Sequence, residues 1–317
     1  METAKTIGKV AIIGTGIVGS TAAFAIAIKG IAAELVLIDA NKNKAKGEAL
    51  DTGHALSFAG QMIVYDGDYD SVKDADVIII TAGTARGPNE TRLDLAKRNT
   101  GIIKNIVENV MKHYNGGIIL MITNPVDVLT YIAQKMSGLP AGKIFGSGTI
   151  LDSIRLNYLI CRQCGANARN VHGYILGEHG DSQVIAWNSV NIDGMKLDEY
   201  LKNFKDGNVS FNKAEIKEQV KNSGATVIQM KGATNYGIAE CISKIVEAVL
   251  KNQNSIFTTS TVLNGHYGIS NVALSLPTVI NINGIDRVLD IDLNEKEIKE
   301  LQESAKKIKE IIDLVEQ

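Results

Sequence analysis

The stretch that most narrows the possible folds is Val10-Ala11-Ile12-Ile13, followed at once by Gly14-Thr15-Gly16-Ile17-Val18-Gly19. A short apolar run of this kind reads as a buried parallel strand, and the Ala-rich segment after it, to about Lys29, reads as a helix. A strand that enters a helix through Gly-x-Gly-x-x-Gly turns helix amides toward a phosphate-bearing ligand. Gly14 permits the tight turn, Gly16 lets backbone approach a pyrophosphate, and Gly19 lets helix and strand pack closely. Thr15, Ile17 and Val18 stand between them and are candidate contacts with the same ligand. A second strand, Glu34-Leu35-Val36-Leu37-Ile38, ends in Asp39, about 20 residues beyond the last glycine, where an acid accepts hydrogen bonds from an adenosine ribose. The charge of Asp39 repels the extra phosphate of NADP, so the expected cofactor is NAD. The glycines alone would be a weak motif; the flanking strand and helix, together with Asp39, make it specific.

Strand and helix then alternate. The spacing predicts a helix over 41–58, strands over 62–65 and 76–81, a helix over 94–114, a strand over 118–122, a helix over 127–136 and a strand over 143–145. That order gives an α/β fold with a parallel, doubly wound sheet of the Rossmann type. Beyond Gly146 the pattern becomes α+β. Helices are expected over 149–163, 213–230, 237–250 and 295–315, and strands over 170–176, 184–192, 256–262, 272–276 and 287–289. We therefore place an NAD-binding domain over residues 1–146 and a substrate domain over 147–317.

The formal net charge of −2 gives no reason to expect nucleic acid or an anionic membrane as a partner. The N-terminus lacks the pattern of a signal peptide, and no apolar stretch is long enough to span a bilayer. Cys161, Cys164 and Cys241 are too few for a disulfide framework. The lone Cys161-x-x-Cys164 reads as packing, and no metal is expected. These features point to a cytoplasmic protein.

The chemistry-bearing residues cluster at strand ends. Thr81-Ala82-Gly83 leaves the strand Val77-Ile78-Ile79-Ile80 and opens a loop carrying Arg86, Gly87, Pro88, Asn89 and Arg92. Loops at the carboxyl ends of parallel strands hold ligands in such sheets. Thr123-Asn124-Pro125 ends another strand in the same way. Asp152 and Arg155 share one helix face, and His179 sits in Gly177-Glu178-His179-Gly180-Asp181-Ser182. A dehydrogenase of hydroxy acids needs a base that titrates near neutrality, which histidine supplies. It needs a carboxylate to orient that imidazole, and an arginine fork for the substrate carboxylate. A second cation on a closing loop polarises the carbonyl.

With these stretches in hand, the chain resembles the lactate/malate dehydrogenase family over essentially its full length. The match rests on 14–19, on Thr81 through Leu95, on 123–125, on Gly146-Ser147-Gly148-Thr149 through Asp152 to Arg155, and on 177–182. The resemblance implies that His179 is the catalytic acid/base, Asp152 its carboxylate partner, Arg155 the carboxylate clamp and Arg92 the arginine that polarises the carbonyl. It implies that Asn124 contacts both nicotinamide and substrate, that Thr234 walls the substrate pocket, and that Thr81, Ala82, Gly83 and Asn99 join the cofactor site. It also implies a homo-oligomer, a dimer or a homotetramer, with the 41–58 helix in the interface.

The loop position six before Arg92 separates substrates in this family: lactate enzymes usually carry Gln there and malate enzymes Arg, and here it is Arg86. Arg86 buried beside the methyl of pyruvate would be an unpaired cation, at a cost of several kcal/mol, whereas the second carboxylate of oxaloacetate would pair with it. The expected reaction is therefore L-malate with oxaloacetate, a step of the tricarboxylic acid cycle. The alternative is L-lactate with pyruvate, favoured by the lactate-like second half and by Thr234. Under that alternative little activation by fructose 1,6-bisphosphate is expected. His172 matches one of the effector's partners in the family, but Asn157 stands where the other is an arginine.

Overall fold

The structure is a computed structural model that describes residues 8–85, 87, 90–203 and 211–316, and the side chain of Arg92 is not among what it describes. The first half runs β1 (Lys9–Ile13), α1 (Ile17–Ile28), β2 (Glu34–Ile38), α2 (Lys42–Ala59), β3 (Ile63–Asp66), β4 (Val77–Ile80), α3 (Arg92–His113), β5 (Ile118–Met121), α4 (Val126–Ser137) and β6 (Ile144–Gly146). Next come α5 (Ile150–Cys164), β7 (Val171–His172), β8 (Ile175–Leu176), β9 (Val184–Ile185), β10 (Asn191–Ile192), β11 (Met195–Lys196) and α6 (Leu197–Lys202). The chain closes with α7 (Lys213–Lys231), α8 (Tyr236–Leu250), β12 (Ser255–Asn264), β13 (Ser270–Asn281), β14 (Gly284–Val288) and α9 (Glu295–Glu316).

The strands of the first half are apolar throughout because both faces of their sheet are covered. On β1, Val10 and Ile12 point into one cluster with Leu35, Leu37, Ile79, Leu120, α1 and α8. Their neighbours Ala11 and Ile13 point into the other, with Ile78, Ile80, Ile119, Met121, α3 and α4. Successive side chains of a strand face opposite ways, so a strand buried on both sides has no polar positions to offer. Each such Val, Leu or Ile contributes about 1.5–3 kcal/mol by leaving water.

Among the described residues one sheet has the order β14-β13-β12-β6-β5-β4-β1-β2-β3. The strands β1 to β6 are parallel neighbours, and the order reverses between β1 and β4, so the carboxyl ends of those two strands frame a crevice. The second half extends the same sheet. β12 runs antiparallel against β6, with Ser260 opposite Gly146, and the β12–β13 hairpin carries β14 at its far edge.

The second half differs from the expectation in three places, the first being that β11 and α6 occupy 195–202, where no element is expected. The strand expected over 170–176 is two short strands in separate small sheets, β7 with β10 and β8 with β9. The alternation over 184–192 belongs to β9 and β10 with a 3-10 turn at Trp187–Ser189 between them. Buried Val184, Ala186, Val190 and Ile192 satisfy a period of two, but they pack into different clusters, so the chain turns between them. No described helix is long and apolar enough to cross a membrane.

Candidate active site

The loops at the carboxyl ends of β1, β4 and β5 are laced together by their own polar groups. Gly14 has φ +102, and a Cβ on Gly19 would lie 1.9 Å from the Gly14 carbonyl oxygen, so α1 can approach the turn only with glycine at both positions. The Thr81 hydroxyl donates to that same carbonyl at 2.6 Å, and the Thr123 hydroxyl donates to the Ala82 carbonyl at 2.7 Å. Asn99 is buried. Its amide donates to the carbonyls of Asn124 (2.7 Å) and Thr84 (3.2 Å), and its Oδ1 accepts from Thr84. Asn99 thus ties the loop after β4 to the turn after β5.

The residues present fit a dinucleotide. The N-terminus of α1 carries no side-chain cap at Gly16, so the amides of its first turn lack a side-chain acceptor. Open space surrounds the position where a Gly16 Cβ would stand. Exposed amides at a helix N-terminus are the complement of a pyrophosphate. Asp39 accepts from the amide (2.7 Å) and hydroxyl (3.0 Å) of Thr15 and from the Asn41 amide (2.9 Å). Burial pushes its carboxyl upward, but these donors outweigh burial and hold it below the ordinary value, so it is an anion. One carboxylate lone pair, on Oδ1, remains for a ribose hydroxyl.

A cleft of about 560 Å³ lies beside this edge, lined among others by Val18, Leu95, Asn124, Leu151, Asp152, Arg155, His179, Thr234 and Ile238. Its centre is Asp152, 4% exposed, in the first turn of α5. One carboxylate oxygen lies 2.5 Å from His179 Nδ1 and the other accepts from Arg155 Nη1 at 3.1 Å. Local stitching sets this spacing. The Thr149 hydroxyl donates to the Ile175 carbonyl, the Ile175 amide donates to Ser153 at 2.9 Å, and the Thr149 amide donates to Ser275 at 3.1 Å. The start of α5 is therefore fastened to β8, and His179 follows β8 by a few residues.

Burial pushes Asp152 upward, yet the charge and hydrogen bond of His179, and then Arg155, overcome it and lower its pKa. Burial pulls His179 downward, but Asp152 and more weakly Asp127 overcome it and raise its pKa, against Arg155. With Nδ1 committed to Asp152, the ring nitrogen left for substrate is Nε2. The cluster holds an imidazole whose pKa is raised above its ordinary value, a buried anion behind it and a guanidinium beside it.

The structure brings His179, Asp152, Arg155, Asn124 and Thr234 to one cleft. Arg86 lies outside the described residues. Arg92 opens α3, which is capped by Thr91 and Asp94. Sequence reasoning passed over Asp127, buried at the start of α4, whose Oδ2 accepts the His179 amide at 2.8 Å. Its only sequence signal is that it stands three residues after Asn124. Of the cysteines, Cys164 and Cys241 are buried, and burial pushes their thiols up to about 11 and about 12.

Two family models match in succession: lactate/malate dehydrogenase, NAD binding domain, over residues 8–146, and lactate/malate dehydrogenase, alpha/beta C-terminal domain, over 149–317. The chain belongs to the lactate/malate dehydrogenase family. It is an oxidoreductase of that family, using NAD on a small 2-hydroxy or 2-oxo acid. The L-lactate dehydrogenase of Thermoanaerobacterium saccharolyticum is 47% identical over 96% of this chain and 98% of its own. That of Acetivibrio thermocellus is 45% identical over 98% of both. The crystal structure of a lactate dehydrogenase from a Medee basin deep-sea metagenome library superposes with a TM-score of 0.94 at 39% identity, covering 98% of this chain and 100% of that one.

These relatives overturn the malate expectation, and the place in the tricarboxylic acid cycle falls with it. That expectation rested on one guanidinium, Arg86, being buried against the ligand. The described residues just before it, Thr84 and Ala85, are exposed. The penalty applies only to a guanidinium stripped of its hydration, and the sequence of the loop does not supply that condition, so position 86 alone does not decide for a diacid.

Proposed function

We propose that the chain is an NAD-dependent L-lactate dehydrogenase interconverting L-lactate and pyruvate. The observation that carries the dehydrogenase chemistry is Asp152 held between His179 Nδ1 (2.5 Å) and Arg155 Nη1 (3.1 Å) in one cleft. The names of the relatives support lactate as the acid. So does the apolar part of the described lining, which includes Val18, Leu151, Ile228 and Ile238 and suits a methyl group better than a second carboxylate.

In this reading Arg155 forks onto the substrate carboxylate, and Thr234 bounds the space for the methyl. Asn124 hydrogen-bonds the oxygen on C2, and the family resemblance gives Arg92 the task of polarising the carbonyl. In reduction, His179 as imidazolium donates its Nε2 proton to the oxygen forming at C2. In oxidation the neutral ring takes that proton back. Asp152 holds Nδ1–H throughout and stabilises the cation. Residues 14–19, Asp39 and 81–83 would hold NAD, which would supply the acceptor or donor for the hydride at C2. The raised pKa of His179 favours the protonated ring near neutrality, which suits pyruvate reduction.

Residues 1–146 serve as the cofactor domain and 147–317 as the substrate domain. The protein works in the cytoplasm as a homo-oligomer, with the exposed Leu50 and Phe58 of α2 in the interface. Fructose 1,6-bisphosphate has little effect, because Asn157 brings no cation to pair with its phosphate.

Steady-state NADH oxidation with pyruvate and with oxaloacetate tests the reading. The expected result is a higher kcat/KM for pyruvate, and a higher value for oxaloacetate would overturn it.

A further inference from the structure

Asp127 is 1% exposed and stands on the first turn of α4, directly after the turn that carries Asn124. Its Oδ2 accepts the main-chain amide of His179 at 2.8 Å. Its Oδ1 is buried without a hydrogen-bond partner, and so are the hydroxyls of Thr130 and Ser260. Ser260 helps to hold the charged form of Asp127 but makes no hydrogen bond of normal geometry. Thr130 and Ser260 meet at Gly146, where a Cβ would lie 2.5 Å from the Thr130 hydroxyl oxygen and 3.2 Å from the Ser260 Cβ. A carboxyl group in so dry a place is costly to ionise and is retained where its charge or its geometry is used.

We propose that Asp127 is a positioning residue for the acid/base histidine. It locks the His179 main chain to the Asn124 turn, so that the proton-transfer group and the polar contact to the substrate oxygen sit on one rigid unit. It also supplies a second negative charge that supports the imidazolium. This rests on the reading of His179 given above.

The charged groups that line the cleft around the pair are Asp152, Arg155, Glu178, Asp181 and Lys221. β12 brings the Ser260 hydroxyl, and α9 brings Ile308 and Ile311 to the cleft, with no charge from either. The charge of Asp127 raises the pKa of His179, second to Asp152. Burial pushes the carboxyl of Asp127 itself up to about 6, with Glu178 adding to the push and Ser260 and His179 opposing it. Asp127 is therefore mostly an anion above about pH 6, and its support for the imidazolium is expected there.

The test compares Asp127→Asn and Asp127→Ala with wild type, as full-length protein, by kcat, pyruvate KM, the pH profile of pyruvate reduction and NADH binding by fluorescence. Asn keeps an oxygen acceptor for the His179 amide and removes the charge, with an NH₂ in place of Oδ1. Its kcat should stay within about threefold of wild type at its own optimum, while the fall of activity with rising pH moves to lower pH. Ala loses the acceptor, and kcat should fall about 10- to 100-fold with NADH binding unchanged. A profile that does not move in Asp127→Asn, or an Asp127→Ala kcat within about threefold of wild type, overturns the proposal. If the Ala variant does not fold, the Asn profile decides. His179→Asn is the control. Retained activity there defeats the reading of the site, whereas its loss beside an unmoved Asp127→Asn profile defeats only the role of Asp127.

Discussion

Replacing Asp152 with Asn tests the core of the site, because the outcome follows from counting donors and acceptors. Asp152 is an acceptor on both sides, toward His179 Nδ1 at 2.5 Å and Arg155 Nη1 at 3.1 Å. An amide has one oxygen and one NH₂ to place there. Arg155 is donor only, so the amide oxygen must face it. The NH₂ then faces Nδ1, which must become an acceptor, and the ring proton moves to Nε2. A neutral ring protonated at Nε2 cannot take a proton from the substrate hydroxyl. The opposite orientation sets NH₂ against the guanidinium and costs about 1–3 kcal/mol. Loss of the charge-assisted bond to the imidazolium costs about a further 1.5–3 kcal/mol.

The two together place the fall in kcat/KM at roughly 10²- to 10⁴-fold. The pH dependence shifts as well. Burial pulls His179 down, and Asp152 is the largest upward influence; without that charge, burial prevails and the histidine titrates below its ordinary 6.5. Activity in pyruvate reduction then declines from a lower pH. The ion pair also has a stability window. The lowered Asp152 contributes above 3.8 and is lost as pH falls through its folded value, whereas the raised His179 contributes fully below 6.5 and is lost as pH rises through its own. The variant's Tm deficit should therefore be widest between those two values. NADH absorbance assays with pyruvate over about pH 5 to 9, in parallel with thermal melts, read all three quantities. A variant within about threefold of wild type in kcat/KM, with an unmoved profile, would refute the reasoning.

Two further substitutions probe the frame. Gly19→Ala drives a Cβ to 1.9 Å from the Gly14 carbonyl oxygen and 2.7 Å from the Thr81 hydroxyl. It should lower stability by about 1–3 kcal/mol and weaken NADH binding; melts and fluorescence titration indistinguishable from wild type would contradict the close approach. Gly101 lies exposed inside α3 with nothing within 4 Å of a Cβ. Gly101→Ala should raise stability by about 0.5–1 kcal/mol without changing pyruvate KM, as read by denaturant melts and steady-state kinetics.

The first half was legible because its signals are local. A strand buried on both faces must be apolar at every position, and the turn into α1 must be glycine, so both leave marks within a short window. The grouping of His179 with Asp152 and Arg155 was legible only through the family resemblance, since nothing local says that α5 and the end of β8 meet. The junction of β12 with β6 was not legible. Pairing partners more than a hundred positions apart leave no periodic trace, and the polar Ser260 on β12 looks like any strand serine. Asp127 escaped for a related reason, because an acid in the first turn of a helix reads as a complement to the helix dipole. The substrate was misjudged because one loop arginine was given the electrostatics of a buried group, a premise that the sequence of the loop does not contain.

The shared sheet has a consequence for how such a chain can be cut or recombined. β6 is the last parallel strand, and its far side is occupied by β12 at Gly146 and Ser260. A fragment ending after Gly146 would carry β6 as a bare border, and the complementary fragment would carry β12 as another. Unpaired borders of this kind recruit foreign strands and promote aggregation. Exchange of either half with a relative thus has to preserve the fit at that seam as well as the residues of the cleft.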